Sequence, residues 1–273
     1  MRDGDFELIT LRSGSRAVRH MVHGEVMHPA GGPWQEANRL YVEQPQLSAR
    51  LLERPQTPIR IFDVGLGAAT NAVAALTCAR AHGGQVEVHS FELDLAPLRL
   101  ALRDTEGFPF LIPFHQAAHE LMRCGEWSEP GIRWVLHQGD YLSCLSRAPH
   151  DAELIFYDPF SPQHNAALWT PSAFSALRSH CKSDGDGALL FTYSAATPMR
   201  VSLLLGGFFV GAGSSTGTKQ ETTVGATVRD SLLHPLGARW FSRWERSSAR
   251  APIGMNALSD EDEAYIRRHP QFS

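Results

Sequence analysis

Residues 59–76, IRIFDVGLGAATNAVAAL, constrain the fold more than any other stretch. A short apolar run ends at Asp63 and meets glycines at 65 and 67, then passes directly into a helical pattern. Ile59, Ile61, Phe62 and Val64 suit a buried parallel strand, and Ala72, Val73 and Leu76 suit the helix that packs back on it. Gly65 and Gly67 permit backbone angles that a side chain obstructs, so a ligand can lie against the main chain at the helix N-terminus. The same turn also closes ordinary strand-to-helix corners, and its meaning depends on the strands that come after it.

Those strands end in acids. QVEVHSFE, residues 85–92, alternates into a second strand with Glu92 at its end, and Asp94 is placed to cap the helix LAPLRLALRD. Glu92 lies 29 positions beyond Asp63, about one βαβ step, so it faces the same crevice as the glycine turn. A carboxylate there accepts hydrogen bonds from a ribose diol, which points to a nucleoside-bearing cofactor. A third strand, IRWVLHQGD, ends at Asp140, an acid suited either to an adenine amino group or to capping the helix before Leu142. The fourth, AELIFYDPFSP, delivers Asp158 and Phe160 into a loop stiffened by Pro159 and Pro162. That loop can position an amine nucleophile, or be a proline-rich turn capped by its aspartate. Asn165 and Trp169 extend it, and Thr170-Pro171 and Thr197-Pro198 each read as a helix cap and first turn. FFVGAG and ETTVGATV form a last strand pair, with the final strand antiparallel at or near the sheet edge.

Three regions lie outside this repeat. Residues 7–22 read as a hairpin about Ser13-Gly14-Ser15. GEVMHPAGGPWQEANRLYVE then gathers Glu25, His28 and Glu36, either lining a substrate pocket or forming a polar surface loop anchored by Trp34. Residues 107–131, with Pro109, Pro113 and Pro130, read as an irregular insertion over the sheet; His115 and His119 share a helical spacing without a third ligand, so no metal is expected. The boundaries drawn are 1–50 for the N-terminal hairpin and substrate-side cap, 51–230 for the core and 231–273 for a C-terminal extension. In that extension Arg239, Arg243, Arg246 and Arg250 either meet phosphates or form a solvated tail.

A net charge of -4 and a pI near 6.3 give no global pull toward nucleic acid or an anionic membrane. Four cysteines without CxxC spacing read as reduced packing residues. No apolar run approaches the roughly 18 residues of a membrane span and the acidic N-terminus is unlike a secretory signal, so a soluble cytoplasmic protein is expected.

The order of glycine turn, acidic strand end, Gly-Asp, Asp-Pro-Phe and late strand pair resembles a class I S-adenosylmethionine-dependent methyltransferase. A dinucleotide fold is less apt because Ala68-Ala69 follow Gly67. More narrowly, NRLYVE, DPFSPQHNAALWT and LLFTYSAATPMRVSLLLGGFFVGAGSSTGTKQE resemble the methyltransferase domain of the MnmC family, over about residues 10–230. The resemblance implies an α/β fold: a Rossmann-like seven-stranded sheet with helices on both faces and the N-terminal β-hairpin added. It also implies S-adenosylmethionine as cofactor, methylation of the aminomethyl group on a tRNA wobble uridine, and separate enzymes supplying that aminomethyl-uridine tRNA.

Carried over residue by residue, Asp63, Gly65, Gly67 and Asn71 match the cofactor loop, Glu92 the ribose acid, Asp140 the adenine contact and Asp158 the catalytic acid beside the amine. Phe160, Trp169 and Lys219 match substrate-side positions; apart from the resemblance, Glu25, His28 and Glu36 are candidates for closing the pocket. Ala69 stands where the family commonly has a third glycine, tolerable with a negative φ, and Lys219-Gln220-Glu221 replaces Lys-Arg-Glu. About 40 residues follow the last strand, too few for the flavin domain of bifunctional relatives, so the flavin step is not expected. Two other readings are an aminopropyltransferase resembling spermidine synthase, disfavoured by the lack of a GGGDG loop, and a non-catalytic RNA-binding protein, disfavoured by the intact acids.

Overall fold

Strand β4 (Ile59–Val64) sits at the centre because its side chains alternate between two apolar environments. Ile59 and Ile61 enter one core, Phe62 and Val64 the other. The computed structural model describes residues 1–27, 32–215 and 220–272. N-terminal to β4, strands β1 (Arg2–Asp3), β2 (Phe6–Thr10) and β3 (Arg16–His20) form a separate antiparallel sheet. The expected hairpin is its β2–β3 part, and β1 adds a third strand too short to carry a periodic signal. Helix α1 (Pro33–Ala37), a π-helical turn (Asn38–Glu43) and α2 (Leu47–Glu53) lead into β4.

The repeat then runs α3 (Thr70–His82), β5 (Val86–Glu92) and α4 (Ala96–Leu102). Asp94 accepts the Ala96 N–H at 2.8 Å, holding the start of α4. The N-terminal sheet docks there, through Asp3 bonded by Arg99 at 3.0 and 3.1 Å and through buried Phe6, Leu8 and Val18.

Residues 107–131 are more regular than their prolines suggested. A 3-10 helix (Pro109–Phe114) precedes α5 (His115–Cys124) and strand β6 (Glu126–Glu129), which pairs antiparallel with β7 (Ile132–Gln138). Pro109 and Pro113 stand in the 3-10 helix, and Pro130 stands in the turn between the two strands, where neither role breaks an α-helix. His115 and His119 do share a face, with ring centroids 4.6 Å apart. Among the described residues no group of three or more His, Cys, Asp or Glu is placed to hold a metal.

The chain continues through α6 (Tyr141–Leu145), β8 (Leu154–Tyr157), α7 (Pro171–Arg178), β9 (Leu189–Thr192), α8 (Thr197–Leu205), β10 (Phe209–Gly213) and β11 (Thr222–Ala226). Thr170 caps α7 through the Ala173 N–H at 3.2 Å, whereas Thr197 is itself the first residue of α8 and caps nothing. The sheet order is β10-β11-β9-β8-β4-β5-β7-β6. Seven strands were expected and eight are present, because β6 adds an edge beyond β7; it is short, charged and half exposed, as edge strands are. Strand β11 is antiparallel between β9 and β10, one place in from the opposite edge.

That opposite edge is covered by the C-terminal segment. The Gln271 side chain accepts the Val210 N–H at 2.7 Å and donates to Val210 O at 2.6 Å, pairing with β10 as a strand would. Helices α9 (Ala238–Glu245) and α10 (Asp260–Arg267) bury Trp240, Trp244 and Ile266 in the same core as β8 and β9, with the arginines on their outer faces. Among the described residues no helix is long and apolar enough to cross a membrane.

Candidate active site

The carboxyl ends of β4, β5 and β8 converge on one cavity of about 1290 Å³. Gly65 leaves β4 at φ +91°, and a Cβ there would stand 2.6 Å from the carbonyl oxygen of Asp158. Only glycine allows that approach, which is fixed from the other side by Asp158 N–H donating to Val64 O at 2.9 Å. Gly67, at φ +54°, donates its N–H to Glu92 Oε2 at 2.8 Å. The other oxygen of Glu92 accepts the N–H groups of Leu93 at 2.8 Å and Asp94 at 3.1 Å. Burial raises the pKa of this carboxyl, and those backbone donors counter the rise.

Ala69 differs from expectation. Its φ is +62°, not negative, and its N–H donates to Leu66 O at 2.7 Å as the turn enters α3. The left-handed strain, about 1–2 kcal/mol, is offset in part by complete burial of the methyl group, worth about 0.8 kcal/mol.

Two residues expected in the cofactor loop face elsewhere. Asn71, only 2% exposed, does not line the cavity; its Nδ2 donates to Asp158 Oδ2 at 3.1 Å, and its Oδ1 is buried without a hydrogen-bond partner. Asp63 is fully buried behind the turn, where Oδ2 accepts from Ser90 Oγ at 2.7 Å and Trp134 Nε1 donates to that Oγ at 2.9 Å. Burial, reinforced by the charges of Asp158 and Glu92, pushes the Asp63 carboxyl up to about 8. Strand alternation explains the placement: Asp63 shares its face with Ile61, beneath α3, rather than following Val64 to the cavity lip.

Asp140 lies on the cavity wall and also caps α6, its Oδ1 accepting from Ser143 N at 2.9 Å and Ser143 Oγ at 2.8 Å. Those donors hold its pKa low. Beside it, Leu93 and Leu142 are exposed apolar side chains on the same wall, Leu93 at 70%.

The deep end is polar. Asp158 and Glu36 line it together with Tyr193, while Tyr41 is buried behind them with its hydroxyl lacking a hydrogen-bond partner. Burial first, then the charge of Asp158, holds both phenols well above their ordinary pKa. Trp34 stacks on Phe110 at 5.1 Å, so this segment is a packing anchor and a cavity wall at once.

The remaining expected residues fix the 158–170 loop. Trp169 is buried, and its Nε1 donates to Phe160 O at 2.9 Å. Glu25 reaches 136 positions along the chain to accept from Ser161 N at 2.9 Å and Ser161 Oγ at 3.1 Å. One face of Phe160 is stacked on Phe6 at 6.3 Å. His28 and Lys219 lie outside the described residues. Sequence reading missed His20, His23 and His164, which line the same cavity; their contact joins distant segments and leaves no local pattern.

A sheet in this order, with a glycine turn and acidic strand ends around one cavity, has the architecture of the class I S-adenosylmethionine-dependent methyltransferases. Residues 116–228 match the family described as S-adenosyl-L-methionine-dependent methyltransferase. The crystal structure of MnmC2 from Aquifex aeolicus superposes with a TM-score of 0.74, at 23% identity, over 98% of this chain and 85% of that one. The chain is 26% identical over 238 residues to the tRNA 5-methylaminomethyl-2-thiouridine biosynthesis bifunctional protein MnmC of Ectopseudomonas mendocina, covering 81% of this chain and 35% of that protein. The MnmC protein of Methylibium petroleiphilum is 27% identical over 248 residues, covering 85% and 36%. The chain is thus similar to MnmC proteins, and it spans about a third of the length of those curated relatives.

Proposed function

We propose that the cavity methylates the aminomethyl group of a wobble uridine in tRNA, in the cytoplasm, on substrate tRNA made by separate enzymes. The observation that carries this reading is Asp158, held by Asn71 at the deep end of a cavity whose nearer wall is the glycine turn. The cavity exceeds the roughly 300–1,000 Å³ of a single small-molecule site, which leaves room for a cofactor and an inserted nucleoside together. The names of the similar bifunctional proteins supply the tRNA part of the reading.

The chain's fit to S-adenosylmethionine rests on Glu92, already oriented by three backbone donors, and on the Gly65–Gly67 turn that lines the cavity beside it. The bound cofactor supplies an electrophilic methyl group on a sulfonium. Catalysis then needs alignment, desolvation of the amine and a path for its proton. Asp158 accepts an amine N–H, leaving the nitrogen lone pair free to point toward the glycine-turn wall. Glu36 and Tyr193 close the polar end behind it, and Glu25 and Trp169 keep the loop still. Asp140, with Leu93 and Leu142, suits an adenine edge and its flat face.

The test is nucleoside mass spectrometry after incubating the protein with methyl donor and tRNA bearing aminomethyl-uridine. A gain of one methyl on that nucleoside is expected. Tight binding of S-adenosylhomocysteine without any methylated nucleoside would overturn the substrate while leaving the methyltransferase class intact. Calorimetric preference for decarboxylated S-adenosylmethionine would favour aminopropyl transfer instead.

A further inference from the structure

Where the cavity opens to solvent, three imidazoles form a continuous stack. His20, at the end of β3, lies 4.4 Å from His23 with 22° between ring planes, and His23 lies 4.5 Å from His164 at 26°. The row therefore starts on the N-terminal sheet and ends on the loop that carries Asp158. Its inner end is fixed by aromatic packing, with His20 edge-on to Phe6 at 4.7 Å and to Phe160 at 5.6 Å. At its outer end His23 is exposed, and the His164 side chain is about a quarter exposed, at 26%. Phe6 and Phe160 already supply the apolar contact between sheet and loop, so folding does not require histidine at the exposed positions.

The row is neutral at its base. His20 Nδ1 accepts the His23 backbone N–H at 3.3 Å, which an imidazolium cannot do, and burial favours the uncharged ring further. Its surroundings are acidic: Asp5, Glu25 and Asp94 line the same part of the cavity, and Glu25 Oε2 is 3.6 Å from His164 Nε2. Such a rim offers phosphate no Lys or Arg among its described residues. What it offers is a flat, polarisable face, which is how single-stranded RNA is held when its bases are splayed from their own stack.

Resting on the tRNA reading above, we propose that the His20–His23–His164 row is a stacking platform for the nucleotide next to the methylated one. A uridine whose amine reaches Asp158 has its sugar and backbone toward the cavity mouth. The neighbouring base, unstacked when its partner enters the cavity, then meets the exposed end of the row.

The experiment is steady-state methylation of an anticodon stem-loop RNA and of free 5-aminomethyluridine nucleoside by His23→Ala, His164→Ala, His23→Phe and His164→Phe. Alanine is expected to raise KM for the RNA about 5- to 150-fold, the range of a lost base–aromatic stack. Phenylalanine should restore most of it, and affinity for S-adenosylhomocysteine should persist, which also reports intact folding. The free nucleoside, having no neighbouring base, should respond far less. An unchanged RNA KM in the alanine variants, failure of phenylalanine to rescue, or an equal loss with the nucleoside overturns the platform. Wild-type protein that binds S-adenosylhomocysteine but methylates neither substrate overturns the tRNA reading, and the platform with it.

Discussion

Replacing Asn71 with leucine separates two roles that the sequence leaves merged. As a cofactor-loop residue, Asn71 would contribute to S-adenosylmethionine affinity. The structure instead has it donating to Asp158 Oδ2 at 3.1 Å from a position 2% exposed and off the cavity wall. A hydrogen bond to a carboxylate is worth about 1.5–3 kcal/mol, so its loss should slow methyl transfer by about 10- to 150-fold through a misplaced Asp158. Stability should change little. Leucine keeps the same branched arrangement of four side-chain heavy atoms, and it also removes the buried, unpartnered Oδ1, a group that costs about 1–3 kcal/mol, which offsets the bulk of its methyl groups. Single-turnover methylation at saturating donor reads the first effect, calorimetry with S-adenosylhomocysteine reads affinity, and urea unfolding reads stability. A rate near wild type with affinity reduced by that same factor would refute the positioning role. Asn71→Asp is a second probe. Two carboxylates at that separation cannot both ionise, so activity should acquire a new dependence on pH.

Gly65→Ala should cost about 2–5 kcal/mol in urea unfolding, from a positive φ and a methyl 2.6 Å from the Asp158 carbonyl oxygen, and a loss below 1 kcal/mol would mean the loop yields freely. Ala69→Gly should stay within about 1 kcal/mol of wild type, because relief of the positive φ is offset by a lost buried methyl and a more flexible unfolded chain; a gain above 2 kcal/mol would refute that balance. Glu25→Ala removes the two bonds to Ser161 and should raise substrate KM about 5- to 30-fold while making residues 158–170 more sensitive to proteolysis; unchanged values would show that Glu25 does not hold the loop. Stability against pH tests Asp63 and His137 together. With its folded pKa raised to about 8, Asp63 keeps a proton that the unfolded chain loses near pH 4, so its contribution falls as pH rises from about 4 to 8; burial pushes His137 down to about 4, so its contribution is lost as pH falls from about 6.5 to 4. Asp63→Asn should therefore remove the decline above about pH 6.5, and His137→Phe should leave a decline across the whole range, both read as Tm against pH.

The glycine turn and the acidic strand ends were legible because they are encoded locally. Gly65 needs a backbone angle that few residues adopt, and Glu92 and Asp140 stand where apolar periodicity stops. Side-chain direction was less legible. Asp63 and Val64 are neighbours in sequence, but strand alternation puts one under α3 and the other at the cavity. Asn71 carries a matching letter while its amide serves Asp158, and the sign of φ at Ala69 is invisible in an alanine. Contacts built across long separations could not be read at all, whether the Glu25 bond to Ser161 or the stack that joins His23 to His164. Strand β6 was hidden for a different reason: three prolines within 107–131 signalled irregularity, yet each stands where no interior α-helical or ladder N–H is needed.

These placements make the glycine turn and the Asp158 segment one mechanical unit. Gly65 lies against the Asp158 backbone, Asn71 at the head of α3 holds the Asp158 carboxylate, and Gly67 is tied to Glu92 on the next strand. A shift of the glycine turn by even a few tenths of an ångström must be absorbed by the Asp158 main chain, since packed interiors move by discrete rearrangement rather than by smooth yielding. On the proposed function, cofactor seated on the turn stiffens the Asp158 segment, and substitutions in the turn should appear in substrate kinetics as well as in cofactor affinity. The outer loop is different. It is held by Glu25, Trp169 and the imidazole row, contacts that come from the N-terminal sheet and from the loop's own far end rather than from the glycine turn. On the proposed function, alignment of the amine and capture of its surroundings are thus borne by separate sets of contacts, so recognition at the mouth can vary without disturbing the geometry at Asp158.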